Sequence, residues 1–128
     1  MLRLKSLLES VLPPKGVVTK QLFDYILSQV EVEASNTVVK NWKQFTPQVC
    51  NNGWCDLFAE RLQQFLPTSE MWHTQDSRMG TYGHVWILWK GKCYDPETLQ
   101  GVTSWKQLPW MQRFYKKVGS YPHTSVLD

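Results

Sequence analysis

The chain has 128 residues, is 42% hydrophobic and carries a formal net charge of +3. That length suits one core, so a single domain over 1–128 is expected, with a helical N-terminal part over 1–46 and the core over 47–128. Lysine and arginine are spread with no run of five, which gives no footing for nucleic acid as a partner.

Residues 1–12 carry Arg3, Lys5 and Glu9 among their leucines, so they read neither as a signal peptide nor as a membrane span. Three cysteines, an odd number, close no disulfide framework. A cytoplasmic location with reduced thiols and no membrane partner follows as an expectation.

In chain order, Leu4, Leu7, Leu8, Val11 and Leu12 fall at helical spacing until Pro13-Pro14-Lys15-Gly16 stops them. Thr19 caps a second helix that carries Leu22, Phe23, Ile26, Leu27 and Val30 on one face. Asn36 is read as the cap of a third, short helix through Trp42 and Phe45, ending before Pro47.

The central helix is expected over 54–66, with Asn52 or Gly53 as cap, Asp56 in its first turn and Pro67 beyond its end. Cys55, Ala59, Leu62 and Leu66 share its apolar stripe, so the thiol tops the buried face at the positive end of the helix dipole. His73, followed by Asp76, Ser77 and Arg78, reads as part of a polar loop, and Gly80-Thr81-Tyr82-Gly83 as a lid beside a cleft.

The apolar run Val85-Trp86-Ile87-Leu88-Trp89 predicts a strand covered on both faces. Lys90-Gly91 turns the chain and 92–95 returns, with Pro96 ending the strand. A two-residue loop pairs Trp89 with Lys92 and Trp86 with Asp95, which puts Asp95 on the face of His84. Residues 105–115, with Leu108 and Trp110, are expected to cover the sheet or a groove, and Glu97 reads as a surface carboxylate. The fold class is α+β: N-terminal helices, then a central helix carrying the cysteine, packed on a small antiparallel sheet.

A thiol at a helix start, a histidine at a strand start and an aspartate on the next strand are the parts of an acyl-transfer site. Cys55 is the nucleophile, His84 the general base, and Asp95 the group that orients the imidazole. No cofactor and no metal enters this chemistry.

These segments resemble the papain-like and transglutaminase-like cysteine enzymes. Gly53, Cys55, Phe58 and Ala59 match a Gly-x-Cys-x-x-Phe-Ala-like stretch. His84 and Trp86 look like the family's His-x-Trp, while Tyr94, Asp95, Pro96 and Thr98 look like its aromatic-x-Asp-Pro run. The resemblance covers roughly a third of the chain. It implies a papain-like or transglutaminase-like fold and a cysteine hydrolase or acyltransferase (peptidase, deamidase or transglutaminase-like) acting on a protein or peptide, and it names no substrate.

The Cys55 N–H is the natural first oxyanion donor. The family uses a glutamine six residues before the cysteine; Val49 stands there, which leaves Gln48, Asn51 and Asn52 as candidates for the second donor. Seven tryptophans are more than a small core needs, and the candidates for lining a substrate groove are Trp54, Trp86 and Tyr82. Two other readings stand beside the enzyme. One is a catalytically inactive member of the fold serving as a binding or inhibitor module of phage or mobile-element type. The other is a zinc-stabilised domain built on Cys50, Cys55, His84 and Cys93.

Overall fold

The computed structural model describes residues 12–37, 39–75 and 83–127. The helix expected at the N-terminus, the Asp76-Ser77-Arg78 stretch and Tyr82 therefore lie outside the described residues, apart from Leu12 itself.

Helix α1, Lys20–Thr37, starts where the Thr19 hydroxyl accepts the Leu22 N–H at 3.1 Å. It buries Leu22, Phe23, Ile26, Val30 and Ala34 along one stripe. The stripe carries the helix past Asn36, so no new helix begins there, and 39–46 is irregular. The short helix forms later, as α2, Pro47–Asn51. Thr46 precedes a proline, which disfavours helical backbone, and its hydroxyl accepts the Val49 N–H at 3.2 Å. Trp42 and Phe45 instead pack as an aromatic cluster with Trp54, at centroid distances of 5.2 to 5.7 Å.

Helix α3, Cys55–Phe65, buries Cys55, Phe58, Ala59 and Leu62. Its N-cap is Trp54, which offers no capping side chain, rather than Asn52 or Gly53. The strands are β1, Glu70–Thr74; β2, Val85–Trp89; β3, Lys92–Tyr94; and β4, Thr124–Val126. They form one antiparallel sheet in the order β3-β2-β1-β4. His73 thus sits in a strand and not in a loop.

The β2–β3 register pairs Trp89 with Lys92 and Ile87 with Tyr94, as a two-residue loop requires. Lys90 and Gly91 have φ of 49° and 77°, both left-handed, which is the turn that matches strand twist. Helix α4, Pro109–Val118, follows a 3₁₀ turn at Trp105–Gln107 and ends at Gly119.

Two apolar clusters cover the two faces of β2. On one, Ile87 and Trp89 meet Phe58, Ala59 and Leu62 of α3, with α1 behind. On the other, Trp86 and Cys93 meet Leu108, Trp110, Met111 and Phe114. Each fully buried large side chain contributes about 1.5–3 kcal/mol. The two layers hold β2 rigidly between α3 and α4, so residues at its start are well fixed.

Candidate active site

Cys55 is the first residue of α3, 6% exposed, where the helix N–H groups lack a capping side chain. His84 precedes β2 and is locked to β1: its N–H donates to the Thr74 hydroxyl at 3.0 Å, and its carbonyl accepts the Thr74 N–H at 3.0 Å. That close approach requires Gly83, because a Cβ there would overlap the Thr74 hydroxyl. Asp95 follows β3 in a tight turn, its N–H donating to the Thr98 hydroxyl at 2.8 Å.

The imidazole and the carboxylate meet. His84 Nε2 lies 2.8 Å from Asp95 Oδ2, with both side chains fully buried. The other carboxylate oxygen, Oδ1, accepts the Glu97 N–H at 2.9 Å and the Thr98 hydroxyl at 3.0 Å. Trp110 stacks on the imidazole at 5.0 Å and 8°, and Trp86 at 5.9 Å and 23°. Water is thereby kept from the pair, which strengthens it.

The opposite ring atom, His84 Nδ1, is buried and without a hydrogen-bond partner among the described residues. Cys55 lines the same cavity as the ring. Burial disfavours the imidazolium, but the Asp95 bond and then Cys55 outweigh it and raise the His84 pKa from 6.5 to about 9. Burial likewise opposes the Asp95 carboxylate; His84, Thr98 and the Glu97 N–H prevail and hold its pKa below the usual 3.8.

A cavity of about 370 Å³ opens onto this constellation. Gly53, Cys55 and Asp56 line one side; His73, Thr74, Gly83, His84 and Val85 line the other. His73, which reads from sequence as a loop residue, contacts Ser125 of β4 at 3.1 Å through its Nε2. Only its pairing opposite Val85 brings it to the cavity, and no local sequence signal marks that.

The candidates for the second oxyanion donor separate. Gln48 and Asn52 are exposed on α2 and at its end. Asn51 is 2% exposed, and its amide donates to Asp95 Oδ2 at 3.3 Å and to Glu97 Oε1 at 2.9 Å. It holds the Asp95 carboxylate and does not line the cavity. Glu97 is also more than a surface carboxylate: its side chain is 15% exposed and takes two bonds from Arg113, at 2.7 and 3.1 Å. Neither groove tryptophan within the described residues lines the cavity at Cys55. Trp54 belongs to the Trp42–Phe45 cluster, and buried Trp86 forms the wall of a second cavity.

The environments of Cys50 and Cys93 disfavour their thiolates. Burial and the neighbouring Cys55, Asp95 and Asp56 charges push Cys50 strongly up, and burial raises Cys93 to about 11. All three cysteines are free. Among the described residues no group of three or more His, Cys, Asp or Glu is placed to hold a metal ion, so Cys50, Cys55, His84 and Cys93 do not form a zinc site there. Among the described residues, too, no helix is long and apolar enough to cross a membrane. No protein-family model matches this chain, and no curated protein or solved structure matches it.

Proposed function

We propose that the protein is a cysteine-dependent amide hydrolase or acyltransferase of papain-like or transglutaminase-like type, acting on a protein or peptide in a reducing, cytoplasmic setting. One observation carries the reading. A buried imidazole is tied to Asp95 by one nitrogen, while its other nitrogen is unpartnered beside a helix-start thiol in an open cavity.

In this mechanism the His84 imidazolium balances a Cys55 thiolate. The sulfur attacks the substrate carbonyl carbon, forming the C–S bond as the carbonyl electrons move to oxygen. The uncapped N–H groups at the start of α3 face that oxyanion. Collapse expels the amine, which takes the proton from His84 Nδ1, and a thioester remains. Water or an amine then attacks the thioester, giving its proton to His84, and Cys55 leaves as thiolate. Asp95 stays ionised throughout and holds the ring orientation.

The test is the rate of iodoacetamide modification at each cysteine, resolved by mass spectrometry. Cys55 is expected to react at least tenfold faster than Cys50 or Cys93, and His84→Ala to remove most of that advantage. Equal rates at the three thiols would discard the nucleophile. With an amide-directed probe, an acyl adduct confined to Cys55 identifies the chemistry.

A further inference from the structure

Charge is distributed unevenly along this chain. Residues 1–97 carry ten basic and ten acidic side chains, whereas 98–127 carry Lys106, Arg113, Lys116 and Lys117 and no acid. The formal charge of +3 therefore resides in the C-terminal segment, where Asp128 alone offsets it.

The fold gathers three of those four cations on one surface. Helix α4 buries Trp110, Met111 and Phe114, which turns Gln112, Arg113, Tyr115 and Lys116 outward. With Gly119 these side chains line a groove of about 600 Å³. Lysines in the last turn, Lys116 and Lys117, suit the helix dipole. The dipole does not account for Arg113, which stands at i,i+4 from Lys117 as a like charge and so works against the helix. Helix α1 shows the ordinary arrangement, with Lys20 and Asp24 paired at 2.7 Å. Among the described residues Lys116 and Lys117 have no carboxylate partner. Beside them Tyr115 is 46% exposed, its ring 4.7 Å from that of Tyr121, and the Lys106 ammonium lies 5.2 Å from the Tyr121 ring.

A cationic helix face with an exposed tyrosine calls for an anion that also offers contact area. The helix has ten residues, so it is about 15 Å long, the reach of about four or five residues of extended peptide. Nucleic-acid footprints engage roughly six to ten phosphates, and polybasic lipid sites use about four to eight cations. Three cations on one helix, one of them already bonded to Glu97, fall short of both. Exposed ion pairs are individually weak, so charge selects the partner and the aromatic ring adds area.

We infer that the outer face of α4 docks a short, extended acidic segment of a partner protein, its carboxylates on Arg113, Lys116 and Lys117 and an aromatic side chain on Tyr115. This surface is separate from the cavity at Cys55, and the inference stands independently of the catalytic reading.

The experiment titrates the intact protein with two capped pentapeptides, tyrosine flanked on each side by two glutamates or by two glutamines, and follows backbone amide signals by NMR. The glutamate peptide is expected to shift signals of α4 and Tyr121, with an affinity at least tenfold above that of the glutamine peptide at low salt and a smaller ratio at high salt. Lys116→Glu combined with Lys117→Glu is expected to abolish the preference and to favour a lysine version of the peptide. Tyr115→Ala, which removes an exposed ring, is expected to weaken the glutamate peptide at least threefold, and it keeps the test open if the charge-reversed variant fails to fold. Equal binding of the glutamate and glutamine peptides overturns the inference, as do shifts centred away from α4 or an unchanged affinity in Tyr115→Ala. A uridine pentamer of equal charge that binds more tightly than the glutamate peptide also overturns it, as does cosedimentation with phosphatidylserine vesicles that the peptide does not displace.

Discussion

The two faces of β2 are built on different terms. Toward α3 the contacts are hydrocarbon and aromatic, with Ile87 and Trp89 against Phe58 and Leu62, a layer that burial alone explains. Toward α4 a comparable layer also encloses the His84–Asp95 pair, beneath Trp110 and Trp86. Burying an ion pair brings little net stability, because desolvation offsets the attraction, and apolar residues of similar volume often serve as well. Burial therefore accounts for the first face and for the apolar layer of the second, but not for the buried pair. The thiol comes from the helix that packs the first face, the imidazole and the acid from the second, and they meet at the end of β2.

The strongest way to test that division is to remove the polar groups at the meeting point. On the proposed mechanism, Cys55→Ala and His84→Ala reduce amide turnover by about 10⁴-fold or more, whereas Asp95→Asn costs about two orders of magnitude less. The nucleophile and base make and break bonds, and the acid only orients. Single-turnover rates on one amide substrate check the ranking. An unaffected Asp95→Asn with an inactive Glu97→Gln would move the orienting role to Glu97.

Substitutions in the two apolar layers sharpen the contrast. Phe58, 1% exposed and edge-on to Phe23 at 5.2 Å, is expected to cost about 3–5 kcal/mol on replacement by Ala, measured by urea unfolding. The folded fraction should keep fast labelling at Cys55. Trp110→Ala is expected to cost a similar amount and also to slow that labelling, because it uncovers the His84–Asp95 pair to water. If both variants labelled alike, the second face would be ordinary packing.

A pH series reads the pair directly. His84 has a folded pKa raised from 6.5 to about 9, so its contribution to stability is fully present below 6.5 and is lost as pH rises through 9. Asp95 is shifted the other way: its contribution is present above 3.8 and is lost as pH falls through the depressed value. The unfolding free energy should therefore be highest between about pH 4 and 6.5 and decline toward 9, by ~3 kcal/mol at most from His84. His84→Gln should flatten the alkaline decline. A decline that persists in that variant would place its origin elsewhere.

The parts of the molecule legible in the sequence are those specified by neighbours along the chain. Lys90-Gly91, directly after the apolar run 85–89, sets a register that the φ angles and the Ile87–Tyr94 pairing bear out. The helix start at Cys55 and the strand ends at His84 and Asp95 are likewise local. Strands β1 and β4 were not legible. Glu70-Met-Trp-His-Thr lacks clean alternation and is a strand because β2 pairs with it on one side and β4 on the other, while β4 has three residues and pairs only with β1, from the far end of the chain. Asn36 resembles a cap, but the apolar stripe of α1 continues to Ala34 and overrides it. The support of Asp95 by Asn51, and of Glu97 by Arg113, depends on contacts between segments that no spacing rule connects.

The smallest expected effect concerns the outermost member of that support. Arg113 is 38% exposed and reaches Glu97 with two nitrogens, so water screens the ion pair and its loss costs at most about 1 kcal/mol. Glu97 would still accept from Asn51, and Asp95 would still hold the Glu97 N–H, Thr98 and His84. Arg113→Ala should therefore lower the unfolding midpoint slightly and change the Cys55 labelling rate by less than threefold. Asn51→Ala removes a buried donor from two carboxylates at once and is expected to cost about 1–3 kcal/mol, with a larger loss of rate. If Arg113→Ala proved the more damaging of the two, Asp95 would be held through Glu97 from the protein surface, and the boundary between packing face and reactive face would extend out to α4.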